Sequence, residues 1–162
     1  MTITGDWYNE LGSYMQFTAD PFGGITGTYV SAKGHATGRY TLVGRYDTPS
    51  EEGYGTPIGW TVAWSNEQHD AGSVTCWNGL YTSEGGEQIC ATWLLTGSAP
   101  LDDVWESTAV GQDIFTREAP GADRIEEATA ARAAETVSAK HMGRRKPRAA
   151  AGRVRKGEGT PA

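Results

Sequence analysis

The sequence predicts an all-β protein, an eight-stranded antiparallel up-and-down β-barrel followed by a C-terminal extension. Three observations predict it. The 162 residues hold 22 glycines and 10% aromatic residues, with β-branched side chains spaced between turn signals. Residues 5 to 117 divide into eight short segments separated by turn-rich connectors. After "REAP" the composition shifts to Ala, Glu and Arg, so residues 1–120 form the barrel unit and 121–162 the extension.

The segments fall near 5–11, 13–19, 25–31, 38–47, 58–66, 73–81, 87–97 and 109–117. Between them lie "ADPFGG", "AKGHATG", "TPSEEGYGTP", "NEQHDAG" and "SEGG", all rich in Gly, Pro, Asn, Asp and Ser. Segments 2 and 3, and 6 and 7, are joined by Gly-containing loops of hairpin length. Consecutive hairpins suit such a chain, and closing them up-and-down removes both sheet edges. Residues 123–142 have helical propensity, although only Ile125 and Val137 stand out from the alanines. Residues 143–162 lack the apolar residues to fold and read as a disordered basic tail.

Charge follows the same division. Residues 1–120 carry four Lys and Arg against fifteen Asp and Glu, a net −11; the remainder carries ten against five, a net +5. An acidic body argues against nucleic acid as ligand, since phosphate affinity is supplied by Lys and Arg. The tail's "GRRKPR" and "GRVRK" lack the interleaved aromatics that stack on bases. No apolar run approaches a membrane span. "MTITGDWYNE" lacks the regions of a signal peptide, so either the protein stays in the cytoplasm or its leader is absent from this chain.

Period-two alternation assigns the inner face. It groups Trp7, Asn9 and Leu11, with Ser13 opening the next segment; then Ile25, Gly27, Tyr29 and Ser31; then Trp60, Val62 and Trp64. It continues with Ser73, Thr75 and Trp77; Ile89, Ala91, Trp93 and Leu95; and Gly111, Asp113 and Phe115. An ordinary core would not mix indoles with Asn9, Ser13, Tyr29, Ser31, Ser73, Thr75 and Asp113. Leaving so many buried polar groups without partners would cost about 1–3 kcal/mol each. A single Ser or Thr is commonly satisfied by neighbours or water. Seven polar positions interleaved with tryptophans suit a small ligand, and an eight-stranded barrel has room for one.

With those residues aligned, the chain resembles the avidin/streptavidin family of biotin-binding proteins, on its bacterial, streptavidin-like side. The resemblance runs from "GDWYNELGS" through "ITGTYVSAKGHATGRY", "GRYD", "GWTVAW", "TCWNGLY" and "TWLLTG" to "WESTAVGQDIFT", about residues 3 to 117. It implies that Asn9, Ser13 and Tyr29 donate to the ureido oxygen of biotin, while Asp113 and Ser31 accept from its two N–H groups. Thr75 falls at the thioether contact. Ser73, with a backbone N–H near His35, would hold the valerate carboxylate. Trp64, Trp77, Trp93, Leu11 and Leu95 would wall the ring and chain. Trp105, in "LDDVWEST", would enter a neighbouring subunit's pocket, which implies a homotetramer built as a dimer of dimers. The family also implies secretion and biotin sequestration, with no cofactor.

Three positions depart from the family pattern. Lys33 replaces a small apolar residue in the loop over the pocket and His35 an asparagine, while Gln112 replaces a histidine beside Asp113. Cys76 and Cys90 have the outward parity on neighbouring strands. They would form a cross-strand disulfide if their Cα atoms lay within about 7 Å, and otherwise two free thiols.

Catalysis finds no constellation here. His35 and His69 fall in loops and His141 in the extension, Asp113 is the only inner-face carboxylate outside the ambiguous end of the first strand, and no base is placed to activate Ser13, Ser31 or Ser73. No zinc motif, P-loop or dinucleotide fingerprint is present. The alternative to a biotin binder is a lipocalin-like barrel carrying another small apolar ligand.

Overall fold

A computed structural model describes residues 3–34, 36–49 and 51–142, with the side chains of Trp105 and residues 134–142 outside that description. The basic tail and His35 therefore lie outside the described residues. Eight strands form a closed barrel: β1 (Gly5–Asn9), β2 (Tyr14–Ala19), β3 (Gly24–Val30), β4 (Tyr40–Tyr46), β5 (Thr56–Ser65), β6 (Asp70–Thr82), β7 (Gln88–Gly97) and β8 (Thr108–Thr116). Each pairs antiparallel with the next, and β1 pairs with β8. A 3-10 helix, Leu101–Glu106, precedes β8, and one helix, α1 (Ala122–Met142), follows it. The expected up-and-down barrel is the observed one.

The strand ends differ where side chains capture the backbone. The first strand stops at Asn9 instead of running to Leu11. Asn9 Oδ1 accepts the N–H groups of Leu11 (3.1 Å) and Ser13 (2.8 Å), and Gly12 at φ +84° completes the reversal. Leu11 is buried all the same, in the turn rather than on the strand. At the β2–β3 turn the Asp20 carboxylate accepts from Phe22 and Gly24 (2.7 and 2.9 Å); these backbone bonds hold its carboxyl below the usual range.

One end of the barrel is filled with apolar side chains. Trp7 is fully buried, stacked on Phe17 at 6.4 Å and edge-on to Tyr81 at 5.9 Å, and its N–H donates to the carbonyl of Ile3. The Arg117 guanidinium lies 3.7 Å over the Trp7 ring and pairs with Glu87, which also accepts from the Tyr81 hydroxyl at 2.8 Å. Burial first, and the bond to Glu87 second, push the Tyr81 phenol up to about 12. Above this plug Trp60 stacks on Trp77 (5.7 Å, 11°) and meets Phe115 edge-on. The inner face that groups Trp60, Val62 and Trp64 therefore divides: Trp60 belongs to the floor and Trp64 to the half above it.

The alternation places Cys76 and Cys90 outward, as expected, but the disulfide is not formed; both are free and exposed. Cys76 pairs with Leu94, whereas Cys90 pairs with Leu80. Four positions along a strand offset their Cα atoms by roughly 13 Å, beyond the reach of the bond.

Candidate functional site

The half of the barrel above Trp60 gathers most of the polar residues that alternation selected. Asn9 ends β1, Ser13 follows the turn, Tyr29 lies near the end of β3, Thr75 and Trp77 lie on β6, and Asp113 on β8; all are buried. Register explains their meeting. Val62 faces Thr75, Trp77 faces Trp93, and Ala91 faces Asp113, so the set runs around three successive strand pairs at adjacent levels.

Trp77 is central. Its N–H donates to Asp113 Oδ2 at 2.9 Å, and its ring stacks on Tyr29 at 5.1 Å and meets Trp64 at 6.3 Å. The Trp64 N–H donates to Thr75 Oγ1 at 2.7 Å, while its ring is edge-on to Tyr29 and Tyr40. Each of these indoles thus has its polar end satisfied, which orients its ring within the enclosure. Trp60 does not: its Nε1 is a buried nitrogen with no hydrogen-bond partner.

Trp93 and Leu95 are half-buried on the inner face of β7. Trp93 needs Gly111 opposite it, because a Cβ there would lie 2.2 Å from the ring. Ser73 is half-buried at the β6 start. Ser31, just past β3, donates to the carbonyl of Lys33 at 2.8 Å, so its hydroxyl is engaged in the loop rather than with Asp113. Lys33 is exposed in that loop. Trp105 falls in the 3-10 helix.

Asn9 commits its side-chain oxygen to the turn, which leaves its amide N–H₂ as the donating end. Ser13 Oγ accepts from the Ala32 N–H at 3.1 Å and is bonded to the Tyr29 hydroxyl, a bond that a ligand oxygen placed between them would replace by taking both protons. Burial, with Asp113 adding to it, raises the Tyr29 phenol, while a bond with Ser13 acts the other way. Tyr29 is thereby a neutral O–H donor. Three donors and one carboxylate acceptor in an aromatic enclosure can hold a small neutral group that carries both an oxygen and an N–H.

A pH dependence follows. A phenol whose folded pKa is raised stabilises the fold fully below its unfolded value, about 10, and that stability is lost as pH rises through the folded value. Tyr29 and Tyr81 are each expected to lower the unfolding free energy by about 1.4 kcal/mol per pH unit above pH ~10, and the part that Tyr29→Phe removes belongs to Tyr29. Denaturant melts from pH ~9 to ~11 measure it; a flat profile would contradict the burial argument.

Two residues at this site carried no sequence signal as ligands' neighbours. Arg132 of α1 places one terminal guanidinium nitrogen 2.7 Å from Asp113 Oδ1, 2.7 Å from Glu10 Oε1 and 2.6 Å from the carbonyl of Gln112. Glu10 in turn accepts the Ile114 N–H at 2.9 Å. Among the described residues no group of three or more His, Cys, Asp and Glu could hold a metal ion. No helix among them is long and apolar enough to cross a membrane.

Residues 1–118 match the Avidin family. The chain is 34% identical over 123 residues to Avidin of Gallus gallus, which covers 72% of this chain and 78% of that protein. It is 32% identical over 122 residues to Avidin-related protein 4/5 of the same organism, covering 72% and 77%. To Avidin-related protein 2, also from Gallus gallus, it is 29% identical over 120 residues, covering 72% and 78%.

Proposed function

Because the chain belongs to the avidin family, a family of non-enzymatic proteins that bind biotin and need no cofactor, we propose that the upper half of its barrel binds and sequesters biotin with high affinity. The observation that carries this reading is the buried Asp113 carboxylate, held by Trp77 among Asn9, Ser13, Tyr29 and the indoles. The three donors converge on the ureido oxygen and favour charge on it, as an oxyanion hole does without breaking a bond. Asp113 accepts a ureido N–H through a charge-assisted bond, and Ser31 accepts the second after its loop rearranges. Thr75 meets the sulfur. Ser73, with the loop carrying Lys33 and His35, receives the carboxylate. Trp64, Trp77, Trp93, Leu11 and Leu95 form the walls.

We assign the chain to a secreted homotetramer in which Trp105 is donated to a neighbouring subunit. The outer face of β6, β7 and β8 supports association. Cys76, Leu94 and Val110 align in one row across the three strands, and Leu80, Cys90 and Ile114 in another. Leu94, Val110, Leu80 and Ile114 are 51%, 67%, 47% and 49% exposed. The two apolar rows flank a polar row of Asn78, Thr92 and Gln112, and together they suit a second copy of the same chain.

Titration with biotin, followed by tryptophan fluorescence and compared with desthiobiotin and a fatty acid, tests the ligand. A sharp break near one biotin per chain is expected. A response to the fatty acid alone would favour the lipocalin-like alternative. Trp105→Ala is expected to weaken both binding and assembly, read by the same titration and by light scattering. Wild-type behaviour in both would remove the intersubunit role.

A further inference from the structure

The barrel wall has a gap beside Asp113. Along β8, β7 supplies nine paired positions, from Thr108 to Thr116, but β1 supplies only two, Tyr8 with Thr116 and Asn9 with Phe115. Because β1 ends at Asn9, the edge of β8 next to Asp113 loses its strand partner. Side chains replace it. Glu10 accepts the Ile114 N–H, and Arg132 donates to the Gln112 carbonyl, so one acceptor and one donor complete the interrupted ladder. The same Arg132 nitrogen, whose two N–H bonds are shared among three acceptors, also reaches Glu10 Oε1 and Asp113 Oδ1, and the guanidinium carbon lies 5.9 Å from the Trp93 ring centre.

Building on the biotin reading, we infer that Arg132 is a positioning residue for the ligand, brought by α1 through this gap to fix the Asp113 carboxylate and close the wall behind it. The charges around it are explicit. Asp113 is only 4% exposed, and Glu10 stands on the other side of the same guanidinium nitrogen. Without Arg132 the two carboxylates would face each other across an open edge, and water could reach the ligand's N–H bond. With it, Oδ1 is held by Arg132 and Oδ2 by Trp77, which fixes the carboxylate plane. A carboxylate oxygen has two lone pairs, so this clamp still leaves an acceptor site for a ligand N–H.

The helix is otherwise lightly attached. Ile125 touches the turn at Gly12, where an added Cβ would come within 3.0 Å of Ile125 Cδ1. Arg132 lies about two turns beyond Ile125 on the same helix face. The C-terminal helix thereby sets how long the ligand stays, through one side chain.

The test is the dissociation rate of labelled biotin from the full chain, chased with excess unlabelled biotin. Arg132→Ala is expected to accelerate release at least tenfold, Arg132→Lys less, and Arg124→Ala, on the same helix, not at all. A biotin analogue methylated at the ureido nitrogen that faces Asp113 should leave Arg132→Ala and the parent at equal rates. In an Asp113→Asn background, Arg132→Ala should add nothing. Equal acceleration for the methylated analogue would reduce Arg132 to a general structural support, and an unchanged biotin rate in Arg132→Ala would overturn the inference. Failure of the parent chain to bind biotin would instead defeat the reading of the site on which it rests.

Discussion

Asp113→Ala is expected to weaken biotin binding roughly ten- to a hundred-and-fifty-fold, because a hydrogen bond from a neutral ligand N–H to a charged acceptor contributes about 1.5–3 kcal/mol. The size follows from what surrounds the carboxylate. Asp113 is 4% exposed and accepts from Trp77 and Arg132 at 2.9 and 2.7 Å. Alanine removes the acceptor for the ligand and also leaves an indole N–H and a guanidinium facing an apolar methyl. Asp113→Asn should recover little. An amide offers one acceptor oxygen and two donors, so its N–H₂ end must face either the Trp77 N–H or Arg132. Calorimetry on parent, alanine and asparagine variants measures the effect. An alanine variant with the parent's affinity would remove Asp113 from the recognition of the ligand.

Much of this environment was legible in the sequence, and its limits are physical. Period-two alternation tells which face a strand residue takes, and it placed Asn9, Tyr29, Trp64, Thr75, Trp77 and Asp113 inside. It carries no information on depth along the barrel axis. Trp60 and Trp64 have the same parity, yet one lies in the floor and the other in the upper half. Nor does parity fix register between strands. Cys76 and Cys90 both point outward, but four pairing positions intervene. Alternation extends the first strand to Leu11, but the Asn9 side chain captures two backbone N–H groups, a local hydrogen-bonding choice that alternation does not encode.

Arg132 was illegible for a different reason. It reaches Glu10 across 122 residues of sequence and Asp113 across 19. It sits in a helix whose polar and apolar residues show almost no segregation, so no amphipathic stripe marked the side that meets the barrel. The need for such a residue is nevertheless implicit in the short β1. A strand that stops early leaves β8 with an unpaired edge, and a buried edge requires donors and acceptors from elsewhere.

Trp77→Ala is expected to cost about 3–5 kcal/mol of stability, the range for truncating a large buried aromatic residue. For a chain of this length that lowers the melting temperature by about 6–20 °C. Trp77 is 5% exposed and links the two halves of the barrel, stacking on Trp60 in the floor and on Tyr29 above. Its loss would leave both rings without a partner and Asp113 without its indole donor. Trp77→Phe separates these roles. A phenyl ring retains most of the stacking surface but has no N–H, so Asp113 Oδ2 loses its partner while the column of rings survives. The phenylalanine variant should therefore regain most of the melting temperature yet bind biotin at least tenfold more weakly than the parent. Recovery of both would make Trp77 a wall and no more, with the carboxylate held in place by Arg132 alone. Recovery of neither would mean that the indole's larger ring, filling the space between Trp60 and Tyr29, matters more than its hydrogen bond. The comparison thus assigns separate free energies to volume and to orientation at one position, which the alanine variant alone would merge.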